Sequence, residues 1–285
     1  MDTAKIAAPI SGDKLYQTRA RMVLPILVRQ AEAGTPIFYS ALAEEVGIPN
    51  PRNLNYVLGS IGTTLENLSK ARKQKVPPIQ CLVVNKNTGL PGEGIGWFLV
   101  KKEDFSSLNR RQQRAIVEAE LQHVFSFGRW HEVLSVLSLQ PVESDFSAQI
   151  KKAAAFGGGG ESEAHKRLKI YVSKNPTVVG LPASTPAGVT EFPLASGDAA
   201  DVRFQDKKDW VAVEVKSAIS SEADITRGLF QCVKYKAVLE AMQLASDLPQ
   251  NARAILALET TLPSRLVALK NILGIEVVEA VRVNG

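Results

Sequence analysis

Cysteine is scarce in this chain: Cys81 and Cys232 are the only two among 285 residues. They are far apart and lack metal-type spacing, which excludes a disulfide framework and a structural zinc site. Long hydrophobic runs are missing too, since none approaches the roughly 18 apolar residues that span a bilayer. The opening run Met-Asp-Thr-Ala-Lys-Ile-Ala-Ala-Pro has no apolar core of the secretory type. A reducing, cytoplasmic setting in a bacterium or archaeon, with no membrane partner, is the expectation. No internal repeat is visible. What is present is 45% hydrophobic and 22% charged residues, the balance of a globular protein of about two domains.

Net charge is +5, and residues 1–100 carry eleven Lys and Arg against seven Asp and Glu. Such a bias permits a polyanionic partner without requiring one. Part of it is the cluster Lys70-Ala-Arg72-Lys73-Gln-Lys75, which also suits a solvated helix end. The four glycines Gly157–Gly160 mark the clearest boundary. Three segments are expected: 1–102, a helical connector over 103–156 that runs up to the glycines, and 157–285.

In the first segment, residues 14–33 have the apolar spacing of a helix ended by Gly34, and Pro36–Tyr39 read as a short strand. Ser40 is a natural N-cap for a helix that Gly47 stops, and a second helix starts near Arg52. A β-hairpin is expected next, with strands at 79–85 and 94–99. Helix, turn, helix and hairpin make the winged-helix plan, whose second helix commonly enters a DNA major groove. The run Tyr39-Ser-Ala-Leu-Ala, Gly47-Ile-Pro, Val-Leu-Gly59 and Pro77-Pro-Ile-Gln-Cys-Leu-Val-Val-Asn resembles the DNA-binding domain of alkylguanine alkyltransferases and alkyltransferase-like proteins. Gln80 stands where that family has its nucleophilic cysteine, and Cys81 falls one position later. A one-residue shift along a strand reverses the side chain's face, so duplex binding is implied without alkyl transfer. Tyr56 takes the place of the arginine that the family inserts into DNA. Candidates for duplex contact are Tyr39, Arg52, Asn55, Tyr56, Arg72 and Lys73.

The last segment carries the chemistry. In Trp210-Val-Ala-Val-Glu214-Val-Lys216, residues two apart share a face. Val211, Val213 and Val215 therefore face a core, while Glu214 and Lys216 project together on the other side. If the preceding turn is centred between Lys207 and Lys208, paired positions sum to 415 and Asp201 lies opposite Glu214. Directly opposed residues have Cβ atoms about 5 Å apart. Two carboxylates so close repel unless a cation lies between them. A helix from about Ser221 to Ala241 should carry Asp224, Gln231 and Tyr235 on one stripe, with Ile225, Leu229, Cys232, Val233 and Leu239 towards the other side. Upstream, Glu161, His165 and Leu168 are spaced to share one side of a helix. Trp97 and Trp210 are expected in strands, as core residues, and Trp130 at a helix start.

These residues resemble the PD-(D/E)xK nuclease superfamily, in the RecB-like branch with a Gln-x-x-x-Tyr motif. The resemblance covers about residues 158–285. It implies an α/β fold of α+β type, a restriction-endonuclease-like αβββαβ core with a mixed sheet. Asp201, Glu214 and Glu161 would hold Mg²⁺, with Mn²⁺ able to substitute and Glu163 the alternative to Glu161. Lys216 would be catalytic, and Gln231 and Tyr235 accessory. Ala200 stands where the motif has proline. Arg227 and Lys234 suit backbone phosphates. A DNA endonuclease of defence or repair is implied, with a homodimer as a form it could take, and the rival is an inactive DNA- or partner-binding protein on the same fold.

Overall fold

The computed structural model describes residues 6–99, 105–142, 144–156, 162–206 and 209–283. The chain is mixed α/β and forms two compact units, Met1–Ser144 and Asp145–Gly285. Among the described residues, no helix is long and apolar enough to cross a membrane.

The first unit is built on two long helices, α1 (Leu15–Glu32) and α3 (Leu54–Arg72), with α2 (Tyr39–Glu45) between them. Gly34 and Gly47, both at φ +65°, take the left-handed turn that ends α1 and α2. The cap of α2 is Phe38 rather than Ser40, because the helix starts two residues earlier than expected. Asn50 accepts the Arg52 amide and opens the turn that leads into α3.

The expected hairpin is not formed. Ile79–Leu82 is a 3₁₀ turn, and only Val83–Val84 is a strand, β2. It pairs in parallel with β1 (Ile37–Phe38). Gly96–Leu99 is a short helix, α4. Ile79, Gln80, Cys81 and Leu82 are all buried. An apolar run buried on every side has no period-2 alternation, so strand and buried turn look alike in it. Trp97 is helical and 51% exposed, not a core strand residue.

The expected connector divides between the two units. Helices α5 (Arg110–Ser126) and α6 (Trp130–Val136) belong to the first, where Val117, Val124, Trp130, Val133 and Leu134 join its core. The Trp130 indole N–H donates to the Val124 carbonyl at 2.9 Å. Helix α7 (Ser147–Ala155) belongs to the second unit. The glycine run lies outside the described residues.

In the second unit, α8 (Glu163–Lys174) precedes β3 (Val189–Pro193), β4 (Ala199–Asp206) and β5 (Asp209–Lys216). Then come α9 (Glu222–Ala245), β6 (Arg253–Leu258), α10 (Val267–Leu273) and β7 (Glu276–Val278). The order from α8 to β6 is the αβββαβ order expected. Strands run 3-4-5-6-7 across one sheet, antiparallel from β3 to β5 and parallel from β5 to β7. Each face has its own core. Leu168, Val172, Val202, Phe204, Val211, Val213 and Val215 form the one that includes α8. Ala200, Trp210, Ala212, Leu229, Cys232, Tyr235 and Leu256 form the one that includes α9. Strand β5 is thus covered on both sides, as a central strand flanked by helices requires.

Phe204, 1% exposed, is among the largest fully buried side chains. Phe204→Ala should destabilise the second unit by about 3–5 kcal/mol. Urea denaturation followed by circular dichroism measures it.

Candidate active site

The site begins with strand alternation. On β5, Val211, Val213 and Val215 face the α8 core, and Glu214 lies on the face under α9. The register with β4 follows the expected sum in every pair from Asp206↔Asp209 to Val202↔Val213. One step further would set Asp201 against Glu214, but the ladder stops short of it. Asp201 Oδ2 instead accepts the backbone N–H of Val215 at 2.9 Å.

The β3–β4 ladder is interrupted at the same place. Val189 to Pro193 pair with Arg203 to Ala199, but Glu191 and Asp201 are skipped. Glu191 takes φ +50°, in the left-handed region, and its carboxylate pairs with Lys169 of α8. On either side of the break β4 contributes to different cores, Ala200 to that of α9 and Val202 to that of α8. Asp201 therefore stands at an irregular point of the sheet, where its carboxylate takes the place of a ladder partner.

Helix α8 brings in His165. Ser162 caps the helix by accepting the His165 amide at 3.2 Å. His165 Nε2 lies 3.3 Å from Asp201 Oδ1. Lys216 Nζ is 3.0 Å from Glu214 Oε1 and 2.8 Å from Asp224 Oδ1, which rises from the first turn of α9. Tyr235 lies 3.0 Å from both Glu214 Oε2 and the Ala199 carbonyl. Glu214 and Lys216 are 3% and 6% exposed, so the face expected to be open is roofed by α9.

Electrostatics follow from that burial. Desolvation, reinforced by Asp201, pushes the Glu214 carboxyl up to about 7. Asp201 moves the other way, because His165 and the Val215 amide outweigh its burial. The hydrogen bond to Asp201 raises His165. Burial opposes charge on Lys216, yet Glu214 and Asp224 prevail and its pKa is raised. Tyr235 is raised by burial and by the carboxylates. Its one O–H lies within donating reach of both the Glu214 carboxylate and the Ala199 carbonyl.

The other expected residues divide. Glu161 lies outside the described residues. Glu163 is 83% exposed and paired with Lys166, so it is not brought to the site. Tyr235 was expected on the polar side of its helix but is buried with Leu229 and Cys232, while Val233 is 37% exposed. Gln231 Nε2 is 3.5 Å from the Tyr235 oxygen, and its buried Oε1 has no hydrogen-bond partner among the described residues. Lys234 pairs with Asp198 at 2.7 Å, and Arg227 Nη1 lies 3.4 Å from the Phe156 carbonyl. Among the described residues, no group of three or more His, Cys, Asp and Glu is placed to hold a metal ion. Asp201 and Glu214 are a two-carboxylate set. Sequence reasoning gave no role to His165 or Asp224, although helical spacing had put both on the right sides of their helices.

In the first unit, Arg52, Asn55 and Tyr56 are exposed around the start of α3, where Tyr56 stacks on Tyr16 with ring centroids 5.7 Å apart. Arg72 and Lys73 are at the far end, about 25 Å away along the helix at 1.5 Å per residue. The basic cluster there is tied to carboxylates: Lys70 to Glu66, Arg72 to Glu132 and Lys75 to Glu120. Tyr39 is occupied too, since its oxygen accepts the Gly92 amide at 3.1 Å.

Compared with protein-family models, curated proteins and solved structures, the chain finds no match.

The folded Glu214 carboxyl, near pH 7, lies above its ordinary 4.5. Its contribution to stability is therefore complete below 4.5 and lost as pH rises through 7, on the order of 2–3 kcal/mol. Denaturation of wild type and Glu214→Gln in a chelator at pH 5 to 8 tests this. The stability gap between them should move in favour of the variant as pH rises.

Proposed function

We propose that the second unit is a Mg²⁺-dependent deoxyribonuclease that hydrolyses phosphodiester bonds, with Mn²⁺ able to substitute. The observation that carries this reading is Glu214, a buried carboxylate under the repulsion of Asp201 with the Lys216 ammonium 3.0 Å away. Carboxylate oxygens are the donors that hard divalent cations prefer, and Mg²⁺ needs only one or two of them. The donor set therefore fits, with Asp201 and Glu214 as ligands and Glu161 as the expected third. When bound, the cation would supply charge neutralisation and a more acidic water.

The chain's own residues do the rest. The Val215 amide and His165 orient Asp201, while Tyr235 orients Glu214. Lys216 supplies positive charge for the oxygens of a phosphate under attack. Water adds to phosphorus as one P–O ester bond breaks. Arg52, Asn55 and Tyr56 of the first unit are the exposed side chains we assign to duplex contact, by phosphate pairing and stacking. One site per chain would cut both strands most simply as a homodimer. Restriction, phage defence and repair are the settings for such an enzyme.

A second reading is favoured by one observation: Glu214 and Lys216 are nearly inaccessible. Under it, the charged cluster is an internal structural network, and the protein binds DNA or a partner without cutting.

Incubation with plasmid and Mg²⁺ beside a Lys216→Ala control separates the two. Cleavage by wild type alone supports the nuclease, and failure to cut DNA or RNA with Mg²⁺ or Mn²⁺ sinks it. Asp201→Asn should abolish cleavage while shifting DNA affinity little. A collapse of binding in a mobility-shift assay would contradict the division of roles between the units.

A further inference from the structure

The stripe of α9 that faces the site holds a residue that sequence reasoning passed over. Gly228 lies one turn after Asp224 and two turns before Tyr235, in the interior of a 24-residue helix. Apart from proline, glycine is the poorest residue for a helix interior, so its presence there calls for a reason. A Cβ at this position would stand 2.9 Å from Lys216 Cε and 2.9 Å from Leu256 Cδ1, with Glu214 Cγ at 3.6 Å. Leu256 is fully buried, so a Cβ here would press into packed core. The Lys216 stem runs against the bare backbone of α9, and its ammonium is caught one turn away by Asp224 at 2.8 Å.

The geometry of nitrogen gives this contact a consequence. An ammonium has three N–H groups in tetrahedral array. One is donated to Asp224 Oδ1 at 2.8 Å, and Glu214 Oε1 lies 3.0 Å from the same nitrogen as an ion pair. With the Cε bond and that N–H fixed, rotation of the head group is held and the other two N–H groups keep set directions. Were Lys216 held by Glu214 alone, the head group could swivel about that contact.

We infer that Asp224 and Gly228 are positioning residues that form a seat for Lys216. Gly228 admits the lysine stem beneath α9, and Asp224 fixes the ammonium so that its remaining N–H groups keep set directions. This builds on the nuclease reading for what they meet, a phosphate oxygen. The seat itself depends only on the contacts of Lys216 with α9.

Two measurements on the full chain test it. The first needs no activity: reductive methylation of Lys216, followed by peptide mass spectrometry without metal or DNA. Asp224→Asn, which keeps the shape but not the charge, and Gly228→Ala should each raise the Lys216 methylation rate by about fivefold or more, as a buried amine is released. Lys166, exposed on α8, serves as the internal reference. The second is plasmid cleavage with Mg²⁺, where kcat should fall about 10–100-fold in both variants with little change in KM, the pattern of lost alignment. Wild-type methylation rates in both variants would overturn the seat. So would wild-type kcat in Asp224→Asn, whose isosteric change keeps the helix intact. If the native chain cuts nothing, the nuclease reading and the aim at phosphate fall together. Methylation then still decides whether α9 holds the lysine.

Discussion

A carboxylate and an ammonium buried together beneath one helix set the terms for the whole second unit. Glu214 and Lys216 could not stay ionised there without partners, because an isolated buried charge costs several kcal/mol. Each neighbour answers part of that demand. Asp224 shares the ammonium, Tyr235 meets the second carboxylate oxygen, and Asp201 is turned towards the Val215 amide and His165. The cost is met by geometry that only this arrangement of α8, α9 and the sheet supplies. The Glu214 carboxyl is still pushed well above the usual carboxylate range by burial and by Asp201, which marks the cluster as short of positive charge.

The shortage is local. Asp198, Glu163 and Glu191 have lysine partners of their own at the margins of the sheet and of α8. Among the described residues, the Asp201–Glu214 pair lies beside a cation already shared with a third carboxylate, Asp224. A structural network would be expected to balance, and one built to receive a divalent ion would not. That asymmetry weighs towards the catalytic reading, while the depth of burial weighs against it.

Much of this was legible in the sequence. The β4–β5 register could be read from the spacing of valines around a short turn, because a buried antiparallel pair has few alternatives once one face is apolar. The αβββαβ order was what the resemblance implied, and the stripe of Asp224, Gln231 and Tyr235 followed from the helical period. Roofing of the Glu214 face did not, since a period of two shows which residues share a side but not what covers it. Tyr235 was misplaced for the same reason: a phenol can be buried if its hydroxyl finds a partner, and Ala199 and Glu214 are brought near only by the fold. The region 79–99 misled because glycine and consecutive apolar residues suit tight packing as well as strands. Gly96 illustrates it, since a Cβ there would stand 2.5 Å from the Phe105 side chain.

The break at Glu191 and Asp201 has a mechanical meaning. Strand β4 contributes Ala200 to the layer under α9 and Val202 to the layer under α8, so one strand is shared by two separately packed bodies. Asp201 sits at the crossover, joined to α8 through His165 and to β5 through the Val215 amide. Strands β5 and β6 also feed both layers, through their regular alternation. At β4 the sharing runs through a break instead, and loss of the Asp201 carboxylate would leave that strand without its side-chain ties to α8 and β5 there.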